Sequence, residues 1–102
     1  MILRLRVDRY AKRELFEAAA RYKEFRQGLG EAFADAVQNH FDELRRDPHL
    51  GGRPPGVSTD LPIRRLLLDR FPYAIVFLRA DDELRVMAIA HGKRRPGYWL
   101  RG

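Results

Sequence analysis

The stretch "HGKRRPGYW", residues 91–99, gathers a histidine, three consecutive cations and two aromatics, with no acid among them. Lys93, Arg94 and Arg95 have the charge to neutralise a phosphate, while His91 and Tyr98 can pass protons between oxygen atoms. Three readings are open on these residue types. The stretch can be an RNA-cutting site that needs no metal, a docking tail for a protein or nucleic acid, or a solvated chain end. From His91 to Gly102 there are four cations, Lys93, Arg94, Arg95 and Arg101, and no carboxylate. Positive potential therefore collects at this end of the molecule.

The remaining chemistry-bearing residues are dispersed. His40 falls on or beside a helical stripe and His49 lies in a Pro/Gly-rich stretch, so both read as structural. With no cysteine and three scattered histidines, neither a thiolate nor an imidazole metal site is expected, and no cofactor. Asp81, Asp82 and Glu83 read as a hairpin tip. "LGGRPPG" (50–56) lacks the Lys-Ser/Thr ending and the following helix of a phosphate-binding loop. Arg64 and Arg65 alternate along a strand, so one of them can join the tail cations on a sheet surface.

Twenty Lys and Arg against fourteen Asp and Glu give a net charge of +6, which favours acidic partners, with plain solubility as the alternative. The apolar share of 45% is that of a folded domain, and 102 residues suit one domain, spanning 1–102. "MILRLRVDRY" interleaves arginine with apolar residues, unlike a secretory leader, and no apolar run is long enough to span a bilayer. A soluble cytoplasmic protein without membrane contact is expected.

Periodicity supplies the elements that must hold these groups. "ILRLRV" (2–7) alternates as a half-buried strand does, and Asp8 stands at an N-cap position. Ala11, Leu15, Ala18, Tyr22 and Phe25 mark one face of a helix ending near Arg26. Phe16 falls off that stripe, either facing outward or broadening the core face. "GLG" (28–30) breaks the helix. A second one, striped by Phe33, Val37, His40 or Phe41, and Leu44, ends before Pro48, completing a helical hairpin. After the loop 48–62 come three strand candidates, 63–68, 71–78 and 83–91, with Asp69-Arg70 and Ala80-Asp81-Asp82 as tight turns. Pro72 belongs at a strand start or a free edge. The last candidate, apolar from Val86 to Ala90, should be central and covered on both faces. The fold class is α+β, ordered β-α-α-β-β-β, with the hairpin on one face of a small, mainly antiparallel sheet.

That order, with "AKRELFEAAARYKEF", "GLGEAFADAV", "DPHLGGRP", "RRLLLDRFPYAIVF" and "AIAHGKRRPGYW", resembles the RelE/ParE superfamily of toxins from bacterial type II toxin–antitoxin pairs. The resemblance spans essentially the whole chain. It implies a short antitoxin partner, acidic and partly disordered when free, and a toxin–antitoxin hetero-oligomer. It also implies one of two targets: messenger RNA in the ribosome, cut by RelE-like members, or DNA gyrase, poisoned by ParE-like members without nuclease activity. RNA-cleaving relatives carry basic residues in the loop before the second strand and an arginine inside the third. Here the loop offers Arg53 and no lysine, and Ala74 in "FPYAIVF" takes the arginine's place. "FPYAIVF" and "RRPGYW" look closer to the ParE branch, on which no catalytic residue is assigned. Were the chain a ribonuclease, His91, Arg95 and Tyr98 would carry the chemistry.

On the ParE reading, target binding is expected from Arg64, Lys93, Arg94, Arg95, Tyr98, Trp99 and Arg101. Trp99 has a second role open to it, packing back onto the sheet. The antitoxin surface is expected to draw on Leu15, Phe16, Tyr22 and Phe25, as apolar surface left uncovered on the hairpin.

Overall fold

The computed structural model of the chain describes residues 2–100. Its elements are β1 (Arg4–Val7), α1 (Arg9–Phe25), α2 (Leu29–Arg46), β2 (Arg64–Leu67), β3 (Tyr73–Ala80) and β4 (Glu83–His91). The strands form one sheet in the order β1-β4-β3-β2. β1 runs parallel to β4, while the β3–β4 and β2–β3 pairs are antiparallel. This is the α+β, β-α-α-β-β-β arrangement expected from the sequence. β4 is central as expected, flanked by β1 and β3.

The helices form where periodicity and punctuation agree. α1 runs 17 residues without Gly or Pro and buries Ala11 and Ala18 fully. Gly28, at φ 82°, makes the left-handed turn into α2. Gly30 has a different duty: a Cβ there would lie 2.5 Å from the carbonyl oxygen of Ala19, so only glycine lets the two helices approach this closely. α2 lays Phe33, Val37, Phe41 and Leu44 into the core. They meet Ile75, Phe77, Leu84, Val86 and Ile89 from the sheet, and Leu3 just before β1.

The opposite face of the sheet has a core of its own. Ile63, Val76, Leu78, Met87, Ala88 and Trp99 pack there, with Val57, Ala90 and Tyr98 at the margin. A β-bulge makes this arrangement possible. Val76 pairs with Ala88 but Phe77 with Val86, so Met87 is an extra residue on β4, and Met87 and Ala88 both join this second core. In the sequence the bulge is hidden inside the unbroken apolar run "VMAIA".

Several local expectations are corrected. β1 starts at Arg4, because Leu3 gives its N–H to the Arg45 carbonyl at the end of α2 and accepts from the Arg45 guanidinium. Asp8 sits at the N-cap position but makes no side-chain cap. Its carboxylate instead accepts two-pronged hydrogen bonds from Arg85 at 3.0–3.2 Å. The β2–β3 connection is not the tight Asp69-Arg70 turn but the longer segment 68–72, closed by the Leu68 N–H on the Tyr73 carbonyl. Pro72 directly precedes β3, a position that asks for no ladder donor. The β3–β4 hairpin closes through Asp81 and Asp82 between paired Ala80 and Glu83, with Asp81 at φ 56°.

Candidate functional site

His91 ends β4 opposite Tyr73, and the two rings meet edge to face with centroids 4.9 Å apart. Beyond it the chain turns back on itself. The Gly92 N–H donates to the Pro72 carbonyl, and the Lys93 N–H donates to His91 Nδ1 at 3.0 Å. A neutral His91 therefore carries its proton on Nε2. Pro96 and Gly97, the latter at φ 79°, redirect the tail across the second face of the sheet, where Trp99 is 5% exposed.

Tyr98 is gripped from two sides. Its hydroxyl donates to the carboxylate of Glu14, and the Arg94 guanidinium lies 3.8 Å over its ring. The other carboxylate oxygen of Glu14 accepts the backbone N–H of Ile89 at 3.0 Å. One acid on α1 thus holds both the central strand and the tail.

The tail, the loop and the sheet surface enclose an open cleft of about 490 Å³. Pro54, Val57, Ala74, Tyr98 and Trp99 supply apolar lining, with Arg65, His91, Arg94 and Arg95 as the polar wall. On the other side of Trp99 a second depression carries Arg6, Arg9, Lys12 and Arg85. No carboxylate lines the first, and Asp8, paired with Arg85, lines the second. Among the described residues, no cluster of three or more His, Cys, Asp or Glu side chains could hold a metal. None of the helices there is long and apolar enough to cross a membrane.

The residues expected to bind a target separate into distinct groups. Lys93, Arg94 and Arg95 are exposed, and Arg94 and Arg95 line the cleft. Tyr98 is half-buried at its edge. Trp99 packs onto the sheet, the second of the roles open to it, and also lines the cleft. Arg64 lies apart from the cleft: its guanidinium donates to the carbonyls of His49, Leu50 and Gly51 at 2.6–3.3 Å, tying down the long loop. Arg65, pairing with Val76 on the tail-side face, is the arginine that reaches the cleft. Arg101 lies outside the described residues.

The residues expected to receive an antitoxin also divide. Leu15 packs against the main core, and Tyr22 lies among Phe33, Phe71 and Tyr73 with ring centroids 5.1–6.2 Å away. Burial pushes the Tyr22 phenol above the ordinary tyrosine range, with Tyr73 adding to the effect. Phe16 and Phe25, by contrast, are 71% and 82% exposed. Phe25 was expected on the buried stripe, but it closes α1 just where Arg26 turns extended, beyond the reach of the core. Phe16 faces outward, lining a shallow apolar groove with Ala19, Ala20, Gly30 and Ala34.

Sequence reading missed Glu14 and Arg85 as structural residues, and left open whether Arg64 or Arg65 reaches the cleft. Glu14 left a signal. It stands three residues after Ala11 and four before Ala18, so an acid falls on the buried stripe of an amphipathic helix and must have a partner there.

The site is thus carried by a small mixed sheet with a helical hairpin on one face and a basic tail docked on the other. The sequence profile of the ParE toxins of type II toxin–antitoxin systems (parDE) matches residues 5–96, and the chain belongs to that family. Among solved structures, a chain of the chromosomal ParDE toxin–antitoxin system from P. aeruginosa is similar in fold. It superposes with a TM-score of 0.61 at 22% identity, covering 88% of this chain and 96% of that one. No match was found among curated proteins.

Proposed function

We propose that this toxin acts by binding DNA gyrase rather than by cutting RNA, and that a cognate acidic antitoxin neutralises it in the cytoplasm. The observation that carries this reading is the cleft lining at Ala74, where RNA-cleaving relatives are expected to place an arginine. A methyl group there cannot hold a phosphate in position for attack. The candidate proton carriers fit the same reading: His91 Nδ1 already accepts from the Lys93 backbone, and the Tyr98 hydroxyl is given to Glu14. What remains is a rim of Arg65, Arg94 and Arg95 around apolar surface, which suits an acidic protein patch. The outward Phe16 and Phe25 support an apolar seat for the antitoxin on the hairpin, and the charge of +6 supports an acidic partner.

The test is a supercoiling assay with purified gyrase and plasmid DNA. Added protein is expected to abolish supercoiling and trap cleaved DNA in a dose-dependent way. Arg95→Ala should be much weaker while remaining as stable as the wild type, because Arg95 is exposed. No effect on gyrase, with messenger RNA cut in translating ribosomes, would replace this reading by the ribonuclease one.

A further inference from the structure

β1 pairs with β4 only as far as Val7 and Val86, and the Asp8 N–H on the Val86 carbonyl is the last contact of that kind. β4 continues to His91, so its flank beyond Val86 lacks a neighbouring strand. An N–H on such a flank is normally left to water or to another chain. Here the Glu14 carboxylate takes the place of the missing strand, accepting from Ile89 with one oxygen. Its second oxygen takes the hydroxyl of Tyr98.

The backbone bonds Arg94 to His91, Tyr98 to Arg95 and Leu100 to Gly97 are internal to the tail. They shape the tail without attaching it. Attachment to the domain includes the Gly92–Pro72 bond at its base, the burial of Trp99 beside Val57, and the Glu14–Tyr98 bond between them. Arg94 rests on the Tyr98 ring, so the direction of a cleft cation depends on where that ring is held.

We infer that Glu14 is the positioning residue of the tail: from the helical layer it fixes Tyr98, and through Tyr98 it sets Arg94 at the rim of the cleft and keeps Trp99 seated. Its consequence for inhibition rests on the gyrase reading above, whereas its hold on the tail does not. A bond from a neutral hydroxyl to a carboxylate is among the stronger hydrogen bonds, and it leaves a costly unpaired group when one partner is removed.

Trp99 is the only tryptophan, so its fluorescence reports the tail directly. The experiment compares wild type, Glu14→Ala, Tyr98→Phe and the double variant by Trp99 emission, acrylamide quenching and far-UV circular dichroism. Tyr98→Phe keeps the Glu14–Ile89 bond and the ring beneath Arg94, so it isolates the hydroxyl–carboxylate contact even where Glu14→Ala perturbs the strand. Both single variants are expected to red-shift Trp99 and raise its quenching while retaining the helical signal. The double variant should be no worse than the more severe single one, as for two residues acting through one contact. Inhibition of gyrase should fall about tenfold or more in Tyr98→Phe.

Unchanged quenching in Tyr98→Phe overturns the inference, as does strict additivity in the double variant. Quenching that rises while inhibition stays at the wild-type level overturns the positioning role. A wild-type protein inactive on gyrase defeats only the gyrase reading, because quenching still decides whether Glu14 holds the tail.

Discussion

On one face of the sheet, helices of 17 and 18 residues bury Phe33, Val37, Phe41 and Leu44 against the strands over a broad front. On the other, a loop and a short tail cover a smaller core, and Trp99 is held beside the Glu14–Tyr98 contact. The helical face is fixed at many points. The tail face is fixed at few and can open locally, which places it at the low-stability end where binding surfaces are drawn from. Division of labour follows: one face keeps the domain folded, and the other presents its charge.

The largest effect should come from the helical face. Phe33→Ala removes a fully buried ring that contacts Tyr22, Phe71 and Tyr73, and a loss of about 4 kcal/mol is expected in urea unfolding. Trp99→Ala sharpens the comparison. Its larger side chain should cost less, about 3 kcal/mol, because the tail can lift away rather than leave a rigid cavity. A cost equal to or above that of Phe33→Ala would mean that the two faces are equally fixed.

Between the faces stands the Asp8–Arg85 pair, joining the start of α1 to β4. Arg85 is 40% exposed at its side chain, so Asp8→Ala should cost only about 1 kcal/mol, seen as a modest drop in the urea midpoint. The smallest effect is a pH response of the helical face. The Tyr22 phenol is raised by burial first and by Tyr73 second, so the folded state keeps its proton longer than the unfolded chain does. Its stabilising contribution is complete below the unfolded tyrosine value near pH 10 and declines as pH rises through the folded one. Urea midpoints measured on either side of pH 10 should fall, and Tyr22→Phe should flatten that fall.

The same contrast governs what the sequence makes legible. The helices, the order of the strands and the central place of β4 follow from periods of 3.6 and 2 and from glycine and proline, which act locally. Ala74 stands out only through the resemblance, which implies an arginine there in the RNA-cleaving branch. The bulge at Met87 is not legible, since it leaves an apolar run apolar. Arg64 and Arg65 could not be assigned to faces, because alternation says only that they differ, and the tie to the His49–Gly51 carbonyls is made across the fold. Phe25 follows the period of α1 to its last residue, but a period does not tell where the facing surface ends. The Glu14–Tyr98 contact joins residues far apart in sequence and needed the topology itself.

The parallel pairing of β1 with β4 has a consequence in time. Arg4 is matched with Glu83 and Val7 with Val86, so the first strand finds its neighbour only when the last has been made. A helical hairpin can form early from local contacts, but its apolar face stays bare until β3 and β4 arrive, and such distant pairings close slowly. A chain interrupted before β4 would have neither a closed sheet nor a seat for the tail. The cleft and the basic rim around it thus arise all at once, late in synthesis, and not in instalments.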